Sequence, residues 1–300
     1  MVSMRQIYFV LAFLFLGGCV AIPEEEIQAF AASYSEVDQA SRAVYVTYGD
    51  LKEKGIGISH PELTDDRFGS DYVFTLQERY GESGVSALQT ARYNALDAML
   101  AFNEALLAIA EGKGRDEIEA TLAPLRAAAS AVNPAVAAPV AAIVGFAANA
   151  INQAESRADL VEVMTAETEV VLKDKNGEPT EERYKGHPAA VLLQALDADA
   201  RDMTDVVLGD TAARILALGE QVGDPPRDDA GKRLYADAYD DAEGMLMAIK
   251  EYRGLIDKTR RYFAKLQQAA LGQSAIVQTA EFVNVTLEMR TAARSLLGSL

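Results

Sequence analysis

From Glu24 onward, apolar side chains return in steps of three and four: Ile27, Phe30, Tyr34, Val37, Val44, Tyr48 and Leu51, with Ser41 in the one gap. That spacing puts them on one stripe of an α-helix. Glu24, Glu25 and Glu26 suit the positive end of its dipole, and Gly55 and Gly57 mark its end. Val85, Leu88, Met99, Phe102, Leu106 and Ile109 predict a second helix closed by Gly112 and Gly114. Ile118, Leu122 and Leu125 begin another, which Pro124 ends or bends. His187-Pro188 opens a helix through Leu192, Leu196, Met203 and Val206, and the linker "GDPPRDD" follows it.

The clearest seam lies between Asp229 and Leu271. Ala238, Ala242, Met245, Ile249, Tyr252, Ile256, Phe263 and Leu266 share one face there. Gly272 interrupts the pattern, Ser274 suits a restart, and Ile276, Ala280, Val283 and Leu287 predict the lining of a final helix. Seams of this kind on several long segments predict an all-α fold, an antiparallel bundle of long helices.

Two stretches depart from the helical pattern. In "ETEVVLKDKNGEPTEERYKG", Val170-Val171-Leu172 is β-branched and apolar, Asn176-Gly177 is a turn signal, and Glu181 to Lys185 is a candidate return strand. A small β-hairpin near 167–185 is therefore expected, leaning on the helices because two strands alone are marginal. Ala127 to Ala154 contains no charged residue. Within it, the 133–151 segment with Pro134, Val136, Pro139, Ile143, Val144 and Phe146 is a candidate for membrane insertion. Its alanine content and the interruptions at Pro139 and Asn149 favour a small-residue helix buried at the bundle centre.

The first residues follow another logic. Met1 to Gln6 carries one charge, Arg5; Ile7 to Leu16 is uninterruptedly apolar; small residues follow before Cys19. A charged start, a short apolar run and small residues describe a secretory signal peptide. Leu16-Gly17-Gly18-Cys19 resembles the lipobox of bacterial lipoproteins. The resemblance covers residues 1–19 and no family is identified for residues 20–300. It implies cleavage after residue 18, acyl chains on Cys19, and a chain divided into a signal peptide (1–18), a lipidated N-terminus with a short tether (19–23) and a helical bundle domain (24–300). Two or more acyl chains hold a protein stably at a bilayer. Val20, where an aspartate would signal inner-membrane retention in enteric-type bacteria, implies the outer membrane, facing the periplasm.

Composition narrows the partners. With 28 basic against 45 acidic residues the chain carries a net charge of −17. Loss of the leader, which holds Arg5 and no acid, takes it one unit lower. Such a surface repels nucleic acid. Cys19 is the only cysteine and His60 and His187 the only histidines, so a zinc site built from Cys and His is excluded and no disulfide forms within the chain.

No nucleophile elbow, phosphate loop or dinucleotide fingerprint is present, and no cofactor or metal is expected. "EGKGRD" lacks phosphate-loop spacing. "LDADARDMTD" gathers Asp197, Asp199, Asp202 and Asp205 but lacks the glycine and glutamate of an EF-hand loop, and Asp202 and Asp205 read as a solvated helix face. The later half of the longest helix carries Lys250, Arg253, Lys258, Arg260, Arg261 and Lys265, a candidate patch for an anionic partner beside the simpler reading of solvated flanks. The expectation is thus a lipid-anchored envelope protein, structural or accessory, meeting a protein partner through a helical surface. The rivals are a membrane-active protein inserting 133–151 and a carboxylate-dependent envelope hydrolase.

Overall fold

The computed structural model describes residues 24–56, 92–113, 157–173, 179–223, 226–270 and 278–300, with single helical positions at 89 and 120. Cys19, the 133–151 segment, His60 and the helix starting at Ile118 lie outside the described residues. Those described form six helices and one hairpin: α1 (Glu24–Ile56), α2 (92–110), α3 (Arg157–Thr165), β1 (Thr168–Lys173), β2 (Pro179–Gly186), α4 (Pro188–Val222), α5 (Asp229–Ala270) and α6 (Gln278–Ser299). The protein is an all-α helical bundle.

Local chemistry sets the helix ends. α2 closes in a Schellman turn: Gly112, at φ 70°, donates to Ile109 O, and Lys113 N–H reaches back to Ala108 O. α4 opens with His187 as N-cap, its Nδ1 accepting from Ala189 N–H at 3.1 Å, and Pro188 follows where a missing N–H costs nothing. Gly223, at φ 87°, closes α4. Asp228 then caps α5 by accepting from Gly231 N–H at 2.7 Å.

α5, at 42 residues, is about 63 Å long and forms the spine. α4 runs back along it, while α1, α3 and α6 pack on its other sides and α6 also covers α1. Phe263 is the crossroads. Its ring lies 6.0 Å from Phe30 of α1, 6.3 Å from Phe102 of α2 and 4.8 Å from His187 at the head of α4. One position earlier, Tyr262 stacks on Phe30 at 5.0 Å and meets Phe282 of α6 edge-on at 4.9 Å. Burying such rings is the main stabilising term in a core of this kind.

The expected stripes are buried in α1 from Ile27 to Tyr48, in α2 at Met99, Phe102, Leu106 and Ile109, and in α5 from Ala238 to Leu266. Ser41 sits in its gap, fully buried, its hydroxyl donating to Val37 O at 2.7 Å. α6 differs from expectation. Its buried line is Phe282, Thr286, Met289, Ala293 and Leu296, whereas Leu287 is 61% exposed. Contact with both α1 and α5 selects that face. β1 pairs antiparallel with β2, with Glu169 opposite Lys185 and Val171 opposite Arg183, and β2 rests against α4. Among the described residues no helix is long and apolar enough to cross a membrane.

Candidate functional site

Two features stand apart from ordinary core packing: a buried polar layer and an apolar groove on the outside of α4 and α5.

The polar layer begins at Arg92, which the first turn of α2 carries into the bundle, where the residue is only 4% exposed. Its Nε and Nη2 donate to the two carboxylate oxygens of Asp199 on α4, at 2.8 and 2.9 Å. The guanidinium carbon also lies 5.1 Å from the ring centroids of Tyr45 and Tyr48 on α1. Burial alone would lower the Arg92 pKa, but the facing carboxylate outweighs it and holds the guanidinium more firmly protonated than usual. The Tyr45 hydroxyl lies 2.7 Å from that of Tyr252 on α5, and burial pushes both phenols above their ordinary range, so both stay neutral. A second cluster lies beside it, where Arg42 binds Asp38 and Asp97 and covers the Tyr93 ring at 5.1 Å. These groups join α1, α2, α4 and α5. Their charges pair with one another, which makes the layer a device for registering helices.

His187 belongs to the same structural class. With Nδ1 accepting from Ala189, its Nε2 carries the proton and donates to Val163 O at 3.1 Å, tying off the end of α3. Phe102 and Phe263 flank the ring. Burial lowers its pKa to about 4, with the Val163 hydrogen bond opposing only in part, so the imidazole is neutral near pH 7.

The aspartates of "LDADARDMTD" divide between these roles. Asp199 belongs to Arg92, and Asp197 accepts from both Arg201 and Arg253. Burial would raise the Asp197 pKa, but those two hydrogen bonds outweigh it and the carboxyl is held below its usual range. Asp202 and Asp205 are exposed. No cluster of three or more metal-ligating side chains occurs among the described residues.

The basic residues of α5 all lie away from its buried seam. Lys250 and Arg261 are exposed, and Arg253, Lys258, Arg260 and Lys265 are half-buried. Arg253 is engaged with Asp197 and Arg261 with Asp257, so these two charges are locally compensated.

The groove lies on the outer sides of α4 and α5, nearer the start of α5, and has a volume of about 820 Å³. Leu208, Ile215 and Leu216 form one wall, and Tyr239, Leu246 and Met247 the other. Leu208, Leu216, Tyr239 and Met247 are each about half exposed, between 52% and 56%. Glu243 and Lys250 are the charged residues of its lining. The periodicity of the chain does not single these residues out. α4 is apolar nearly all round between Val206 and Leu218, so its inward side cannot be chosen from spacing. On α5 a signal was available: Tyr239 and Met247 lie opposite the buried seam, where a solvated helix carries polar side chains.

Set beside known proteins, the chain matches no family model, no curated protein and no solved structure.

Proposed function

We propose that this chain is a lipid-anchored component of the bacterial cell envelope, structural or accessory in role, which acts through its helical surface. The observation that carries the surface role is the α4–α5 groove. Four large apolar side chains held half exposed on one rigid face are unusual on a surface that meets only water, and such faces serve as binding sites. Anchoring is supported by Leu16-Gly17-Gly18-Cys19 together with the position of α1, which starts at Glu24. Only Val20 to Pro23 intervene, a reach of about 14 Å, so the anchored bundle would work close to its bilayer. The proposed location is the periplasmic face of the outer membrane.

Metabolic labelling with palmitate tests the anchor. The native chain is expected to take up label and to fractionate with membranes, and Cys19→Ser to lose both properties. An unlabelled native chain that fractionates like Cys19→Ser overturns the reading.

A further inference from the structure

The groove carries information about its occupant in the order of its charges. Glu243 and Lys250 lie on the outward stripe of α5, seven residues apart, about 10.5 Å along the axis. That is beyond the three- and four-residue spacing at which helix neighbours pair. Neither has an ion-pair partner among the described residues. Both are exposed, opposite in sign, and equidistant from the point between Leu246 and Met247.

A stripe that is acidic on one side of its midpoint and basic on the other complements itself when reversed. An antiparallel second α5, related by a two-fold axis through that midpoint, sets Glu243 against Lys250 of the second copy and Lys250 against its Glu243. Leu246 of each copy then meets Met247 of the other at the centre. The same operation sets Tyr239 opposite Gly254.

Gly254 supplies the second observation. It is exposed in mid-helix, and a Cβ added there meets nothing within 4 Å. Glycine in a helix interior is less favourable than alanine, and nothing in the packing of the single chain requires one at this position. A tyrosine ring arriving from a second copy would find room there.

We propose that a second copy of this chain docks on the α4–α5 face, α5 against α5 and antiparallel, with Leu208, Ile215 and Leu216 of each copy walling the α5 of the other. A closed two-fold arrangement is the commonest form of homo-oligomer. The proposal rests on reading this face as the binding surface and names its partner.

The test is sedimentation of the detergent-solubilised full chain at micromolar concentration, with helix content followed by circular dichroism. The native chain is expected to be a dimer. Glu243→Lys and Lys250→Glu each place two pairs of like charges in contact and should weaken association about tenfold or more, and the double exchange should restore it. Gly254→Leu should weaken association while raising the thermal stability of the single chain. A monomeric native chain, single exchanges that dimerise as well as the native chain, or a natively helical double exchange that stays monomeric overturns the proposal. A palmitate-labelled, membrane-retained chain that sediments as a monomer removes the second copy and leaves the anchor standing.

Discussion

Arg92 and Asp199 illustrate how much one residue can hold. Taking away the guanidinium leaves the Asp199 carboxylate, only 13% exposed, without its counter-charge inside the bundle. Arg92→Met is therefore expected to destabilise the chain by about 3–5 kcal/mol, and adding Asp199→Leu should return most of that loss. Urea unfolding followed by circular dichroism measures both. His187 makes a prediction about pH. Its folded pKa, about 4, lies below the ordinary 6.5, so the unfolded chain binds more protons between those values. The stability tied to the neutral ring is complete above pH 6.5 and is lost as pH falls toward 4, by about 3 kcal/mol in all. His187→Asn keeps a capping oxygen but cannot be protonated. The native chain should exceed this variant in stability at neutral pH, and the gap should close as urea midpoints are measured at successively lower pH.

Among the helices, the tightest constraint sits where α4 turns into α5. A Cβ on Gly231 would lie 3.0 Å from the Cβ atoms of both Val222 and Pro226, closer than unstrained carbons approach. Gly231→Ala should thus cost about 1–3 kcal/mol despite the better helix propensity of alanine. Gly244→Ala, on the same helix with open space around it, should raise the melting temperature instead. These contrasts also show what spacing alone can reveal. The seams of α1, α2 and α5 were legible because large apolar residues occupy one side and charges the other. In α6 the reading fails at Leu287, which continues a plausible three-and-four pattern, but the helix must face α1 and α5 together, and Phe282, Met289 and Ala293 do so. The polar layer was illegible for a different reason. A charged residue in a sequence reads as solvated, and only the chance to meet Arg92 of α2 turns Asp199 of α4 inward. The groove escaped notice because the apolar residues that line it look like core until the core is seen to lie elsewhere.

Taken as one body, the bundle is closed by its ends. α1 lies against α5 and α6, and Glu36 of α1 receives Arg290 and Arg294 of α6, the latter at 3.0 Å through both Nε and Nη2. The pairings that bury Ile27, Phe30 and Tyr34 therefore join residues from opposite extremes of the chain, and contacts of that separation form slowly. Synthesis makes α1 well before α5 and α6. Until α5 and α6 follow, much of the greasy side of α1 has nothing of its own to lie against, and a holdase that grips unfolded clients finds its opportunity there.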